Sequence, residues 1–434
     1  MKLRHCSILF AALLLVGAAP QPDTNASFPA AARNALPNGV VIVSAPLADS
    51  PIAGAQVFVP AGLMQQPAGL AGIAALTASV VLRTPVERGA SLTDLAANAG
   101  GSATYTVDPE STRFYIESRA ADLPRLVRDL ASAIANPDPA QIPMARAELV
   151  DQVSETAKSP VQVAYGMVRQ VRYLGTGFAF PDGGRASTLS RMAAADVQRF
   201  AERYRHGNGT VVAILGAVSD NNVAAIGSAF SAWPAGAGAP APQPAAVTRQ
   251  SQVISHRNVE STWLALGYGA PSQFSKDFPA MLVIEALLGR GGDIHALSFG
   301  SAGAAMDAFV GTFYQYEARP GTFVIFLNGD SATITQAMSE MEAGVARLRG
   351  ANLPADLLLR AKRLAIGDYL MSDSTLSDAT WLLGRSAMSP DGLSFESELP
   401  ARIAAVSAAD VKRVAKQYLA RETVAVVLPV AENR

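Results

Sequence analysis

Cysteine and histidine are nearly missing from this chain, and the two shortages remove most thiol and metal chemistry from consideration. Of 434 residues one is cysteine, Cys6, and four are histidine. Cys6 stands at the head of an apolar run: Lys2, Arg4 and His5, then Ser7 to Val16, then Gly17, Ala18 and Ala19 ahead of Pro20. A basic start, a short apolar core and small residues before a break read as a secretory signal peptide over residues 1–19. The expected location is therefore periplasmic or secreted, and Cys6 leaves with the leader, so that neither a disulfide nor a thiol remains. No later apolar stretch approaches the roughly 20 residues that a helix needs to cross a bilayer. A dominant charge is missing too: 35 Lys and Arg face 36 Asp and Glu, and losing Lys2 and Arg4 makes the balance slightly more acidic. Nothing draws such a chain to nucleic acid.

What is present is hydrophobic periodicity broken by turn residues, and a repeat. Between Trp233 and Gln250, Pro234, Pro240, Pro242 and Pro244 alternate with Ala and Gly, which predicts a linker over 233–250 between domains 28–232 and 251–434. On the two sides of it Ala195, Asp196, Val197, Arg199, Ala201 and Tyr204 reappear, in order and spacing, as Ala409, Asp410, Val411, Arg413, Ala415 and Tyr418. Each set runs into a β-branched strand, Thr210 to Leu215 and Thr423 to Leu428. Upstream, strand Ser111 to Glu117 precedes a helix ending at Ala135, as strand Gly321 to Leu327 precedes a helix over Ile334 to Leu348. Ser407 and Asp410 form a capping box. Pro37, Asn38 and Gly39 make a turn, and the strands that follow, Val40 to Ser44 and Ile52 to Val59, read as a hairpin. A helix over Leu70 to Leu82 comes next, then Gly100 and Gly101 return the chain to strand at Ala103 to Val107. Two copies of an α+β domain, each a mostly antiparallel sheet packed with helices, are the expected architecture.

The inventory of reactive groups is thin. A catalytic zinc needs about three converging His, Asp, Glu or Cys ligands, and His206, His256 and His295 are each isolated. Glu148 and Asp151 lie one helical turn apart and read as a solvated face. Glu340 and Glu342 point apart on a helix. Phe299, Gly300, Ser301, Ala302 and Gly303 lack the first glycine of a nucleophile elbow. Gly289, Gly291 and Gly292 do not form a dinucleotide fingerprint, and no Gly-Lys pair exists for a phosphate loop.

At Asn38-Gly39, Ala61-Gly62, Gly69-Leu70-Ala71, Gly100-Gly101 and the Asp196 helix, the chain resembles the insulinase/pitrilysin zinc peptidases, and in size the subunits of mitochondrial processing peptidase. The resemblance implies two homologous domains. It also places the family's metal-binding HxxEH at positions held here by Gly72, Ala75 and Leu76, and its third ligand, a Glu, at Gln152. The supporting Glu falls on Ala145. The Arg and Tyr that active complexes contribute from the second half fall within Leu297 to Ala308, on Ser298 or Phe299 and Ala305 or Met306. A neutral amide beside glycine and leucine closes no zinc site, so no catalytic residue, metal or other cofactor is expected. What persists is the glycine-rich stretch, and Gly289, Gly291 and Gly292 are the substrate-contact candidates the resemblance implies, since glycine admits close backbone approach. Tyr314 and Tyr316 share one face of a strand.

The expectation is a catalytically inactive subunit that pairs with a zinc-bearing paralogue as a heterodimer and confines a peptide substrate in a chamber, without nucleic acid or a membrane span. The alternative is a stand-alone periplasmic peptide-binding or chaperone-like protein.

Overall fold

The computed structural model describes residues 28, 30–47, 50–289, 309–350 and 353–430. Two sheets organise it. The first contains β1 (Ala32–Ala35), β2 (Val41–Pro46), β3 (Ile52–Val59), β4 (Ser102–Val107), β5 (Thr112–Arg119) and β6 (Val211–Gly216), in the order β1-β2-β6-β3-β5-β4. The second contains β7 (Ser251–Arg257), β8 (Thr262–Ala270), β9 (Phe309–Tyr314), β10 (Gly321–Gly329) and β11 (Thr423–Pro429), in the order β7-β11-β8-β10-β9. Apart from β1 the two orders are one order used twice. Only β2–β6 and β7–β11 are parallel, and every other pairing is antiparallel. The mostly antiparallel α+β duplication is thus the observed fold.

The helices repeat as well. In the first half they are α1 (Ile73–Arg83), α2 (Leu92–Asn98), α3 (Leu123–Ala135), α4 (Ile142–Thr156), α5 (Pro160–Arg172), α6 (Ala186–Leu189), α7 (Ala194–Tyr204) and α8 (Asp220–Phe230). In the second they are α9 (Phe278–Gly289), α10 (Ser331–Gly350), α11 (Ala355–Leu370), α12 (Leu376–Met388), α13 (Ser394–Ala404) and α14 (Ala408–Tyr418). Residues 233–250 contain no helix or strand. No described helix is long and apolar enough to cross a membrane.

Each sheet is covered on both faces, because alternate residues of its central strands are apolar on both sides; all six residues of β6 are buried. One face is covered by helices of the same half: Val212 and Ile214 pack with Leu76, Leu126, Val197 and Phe230, and Val424 and Val426 with Met281, Val345 and Val414. The other face is covered by a helix from the opposite half. Leu383 and Ala387 of α12 lie on Val43, Phe58, Val211 and Ala213 of the first sheet, while Ala164, Met167 and Val168 of α5 lie on Ala265, Val324, Ala425 and Val427 of the second. Burying one such Val, Leu or Met is worth about 1.5–3 kcal/mol, so the exchange ties the halves together.

The hairpin expected from Val40 to Ser44 and Ile52 to Val59 is not formed. β6 stands between these strands, parallel to β2 and antiparallel to β3, because it is buried along its whole length and its backbone N–H and C=O groups need partners on both edges. The turn at Pro37, Asn38 and Gly39 instead joins β2 to β1, a strand whose four exposed residues give no periodic signal. The helix expected from Leu70 starts at Ile73, since Ala68–Leu70 is a 3-10 turn and Gly72 adopts φ 100°.

Candidate functional site

α1 and α4 bring together the positions at which the resemblance places a metal. Gly72 is the N-cap of α1, and Leu76 is fully buried in the first core with Ala75 beside it. Gln152 lies on the exposed side of α4, and Ala145 faces inward, fully buried. Gly72 is closed to any side chain. Its φ of 100° is left-handed, and a Cβ there would stand 2.5 Å from the Gly183 carbonyl oxygen. The turn is held by Gln66, whose Oε1 accepts the Gly72 N–H at 3.0 Å. The residues present therefore do not fit a zinc ion: one position is backbone only, two are apolar, and the fourth is an amide. The sterics of Gly72 are invisible in the sequence, which shows only the missing donor.

Farther along the same faces a cleft of about 530 Å³ opens between α1, α4 and β4, lined by Ser79, Arg83, Tyr105, Met144, Glu148 and Gln152. Arg83 forms an ion pair with Glu148 and reaches the Met144 sulfur at 3.0 Å. Glu148 is thus engaged by an arginine rather than by Asp151, and both carboxylates sit on an exposed helix face. Burial holds the Tyr105 phenol above its usual pKa. β4 forms one wall of the cleft and, among the described residues, pairs on one side only, with β5. Its free edge is a row of backbone donors and acceptors beside a polar groove, which an extended peptide can join as an added strand.

A second polar group lies where the halves meet. The loop joining β4 to β5 carries Glu110 and the loop joining β9 to β10 carries Glu317. Glu110 accepts the N–H groups of Ala318 at 2.6 Å and Arg319 at 3.2 Å. Tyr173 donates to Glu317 Oε1 at 3.0 Å and accepts from Thr322 at 3.0 Å. Burial, and then the charge of Glu110, hold the Glu317 carboxyl well above the usual carboxylate range, favouring its neutral form. Burial raises Glu110 also.

Of the substrate-contact candidates, Gly289 ends α9, where a Cβ would stand 2.1 Å from Thr312 Cγ2 on β9. Close packing of helix against strand is therefore sufficient reason for that glycine. Gly291 and Gly292 lie outside the described residues, as do His295 and all of Leu297 to Ala308. Tyr314 and Tyr316 meet edge to face at 5.1 Å, and the Tyr314 hydroxyl donates to the Pro271 carbonyl at 2.6 Å. His206 follows α7 and His256 lies on β7. Among the described residues no three His, Cys, Asp or Glu converge.

Residues 191–364 match the family described as the peptidase M16 inactive domain. Among solved structures, a protease from Helicobacter pylori has a TM-score of 0.80 at 17% identity, over 93% of this chain and 100% of its own. The peptidase M16 inactive domain from Pseudomonas fluorescens scores 0.82 at 16% identity, over 93% of this chain and 100% of its own. A chain of complex III2 from Candida albicans, bound to Inz-5, scores 0.75 at 14% identity, over 92% and 95% respectively. No curated protein matches. Likeness at such identities carries the fold, and the family match covers the span from α7 to α11. The chain therefore has the fold of these M16 peptidase-like structures, and within it residues 191–364 are similar to the peptidase M16 inactive domain family.

Proposed function

We propose that this protein is the silent partner of a zinc peptidase: a periplasmic subunit that pairs with a zinc-bearing paralogue as a heterodimer and supplies half of a chamber that confines peptide. The observation that carries the reading is an asymmetric loss. A peptidase fold is kept over its whole described length, while the place of the metal is shut by the Gly72–Gly183 contact and by buried Leu76. The free edge of β4 and the adjoining cleft supply the peptide contact. Mixing the purified protein with an HxxEH-bearing paralogue from the same cell should give one heterodimer peak on size exclusion, with more peptidase activity than the paralogue alone. Two separate peaks and unchanged activity overturn the reading. The stand-alone peptide-binding alternative gains support from the same open β4 edge, and it predicts peptide binding by the isolated protein that the paralogue does not increase.

A further inference from the structure

Among the described residues the duplication leaves one structural role filled in the first half and vacant in the second. In the first sheet, β2 has β6 on one side and the short antiparallel strand β1 on the other, with Ala32 opposite Ser44 and Ala35 opposite Val41. β7 is the counterpart of β2: it lies parallel to β11 as β2 lies parallel to β6. Among the described residues no strand covers its outer edge. The repeat that sets Tyr204 against Tyr418 sets Val211 to Ile214 of β6 against Ala425 to Leu428 of β11, and through the strand pairings the residues covered by β1 correspond to Val253, Ile254, Ser255 and His256. Val253 points inward toward α5, whereas Ile254 is 52% exposed, an unusual place for a large apolar side chain on an open edge.

A cleft of about 770 Å³ runs beside this edge, bounded by Val253, Ile254, Ser255 and Arg257 on one side and by α4, α5 and residues 181–185 on the other. Its charged lining is Arg169, Asp182, Arg185 and Arg257. Arg169 is bound to Asp182 at 2.5 Å, which leaves Arg185 and Arg257 to set the sign of the groove. An open strand edge, an exposed isoleucine and two arginines describe a receptor for an extended chain that alternates apolar and acidic side chains.

We infer that the β7 edge is a second peptide-docking site, taking an extended acidic segment of another polypeptide as an antiparallel strand over Val253 to His256, in the role that β1 plays on β2. The inference goes beyond the β4 groove and does not require the paralogue. Main-chain hydrogen bonds supply the affinity, Ile254 packs an apolar side chain of the segment, and Arg185 and Arg257 select acidic ones.

The test uses the isolated full-length protein and a fluorescein-labelled peptide of alternating valine and glutamate, seven residues long. Fluorescence anisotropy should show saturable binding. A version methylated on alternate backbone nitrogens, with side chains unchanged, should bind at least tenfold more weakly. R257E together with I254E, at exposed positions and with circular dichroism confirming the fold, should weaken binding at least tenfold. Hydrogen exchange should show peptide-dependent protection at residues 253–256. Equal binding of the methylated peptide overturns strand addition, and equal binding by the double variant, or protection confined to residues 102–107, overturns the site. A homodimer that I254E dissociates and that excludes the peptide also overturns it, since the edge would then belong to a second copy. None of these outcomes depends on heterodimer formation, so this inference and the proposed function can fail separately.

Discussion

Helices α5 and α12 occupy the same place in the two halves, each crossing to the opposite sheet, and each buries an arginine at the same step, Arg169 and Arg385. Both guanidinium groups lie over aromatic rings: Arg169 stands 4.0 Å from the Phe178 ring centre and Arg385 stands 4.7 Å from that of Trp381. Their polar partners differ. Arg169 donates to the carbonyls of Phe178 and Phe180, and to Asp182, whose side chain is 61% exposed. Arg385 is held by one carboxylate, Glu396, through two bonds at 2.6 and 2.5 Å, with both groups buried. A charge caged by backbone carbonyls keeps its partners whatever the neighbouring side chains do. A charge neutralised by a single buried carboxylate loses everything with it.

Replacing one residue of each anchor breaks the comparison most strongly. Glu396→Ala strands Arg385 and should cost about 3–5 kcal/mol in denaturant unfolding, whereas Asp182→Asn should cost under about 1 kcal/mol, because the Asp182 carboxylate faces solvent and Arg169 keeps its two carbonyl partners. Converting both Arg385 and Glu396 to leucine should recover most of the loss; equal effects at Glu396 and Asp182 would show that the two anchors are equivalent.

The steric contacts of the exchanged helices come next. Glycine sits on the helix in one interface and on the strand in the other: a Cβ on Gly384 would stand 2.2 Å from the Phe58 ring, and one on Gly267 2.3 Å from Val168. G384A should cost about 1–3 kcal/mol through overpacking. G267A should cost less, because its close clash is with one methyl group of Val168, which a χ1 change can move, whereas Gly384 faces two atoms of the rigid Phe58 ring within 2.5 Å. A cost ordered the other way would place the rigid interface on the second sheet.

The two seam carboxylates provide a pH-dependent contrast. Glu317 titrates near about 4.3 when unfolded and well above that range when folded, chiefly through burial. Its neutral form therefore contributes stability that is complete below the unfolded value and is lost as pH rises toward the folded one. E317Q keeps the neutral shape, so its stability advantage over the natural protein should grow from pH 5 to pH 8, reaching roughly 1–2 kcal/mol. E110Q, which loses a carboxylate bonded to two backbone N–H groups, should show a smaller gain or none. Parallel stability profiles for E317Q and the natural protein would refute a titration at this position.

The smallest effect lies in the repeated helix itself. Ser407 caps α14, its hydroxyl accepting the Asp410 N–H at 3.1 Å, while the counterpart cap of α7 is Ala193, which receives only the reciprocal bond from its N–H to Asp196 at 2.8 Å. A193S should stabilise the protein by about 0.5–1 kcal/mol and S407A should cost about the same, a pair that thermal melts can resolve.

Much of this was legible before any coordinates. The capping box at Ser407, the strand at Ile52–Val59 and the helix leading to Ala135 are local features, written in periodicity and capping chemistry, and the paired Ala195 and Ala409 segments announced the duplication. That Gly72, Ala75, Leu76 and Gln152 stand where the resemblance places the HxxEH motif and the third ligand was legible by position. What stayed hidden lies in the contacts between elements: the insertion of β6 between β2 and β3, the exchange of α5 and α12, the Arg385–Glu396 pair and the shut backbone at Gly72.

Sequence alone determined the class of the fold and its duplication, because helix and strand periods and residue identities are properties of neighbours along the chain. Tertiary structure decided which edges are open, which arginine depends on a single carboxylate, and that Gly72 has no room for a side chain, because these follow from the packing of separate helices, strands and loops against one another and not from the order of neighbours along the chain.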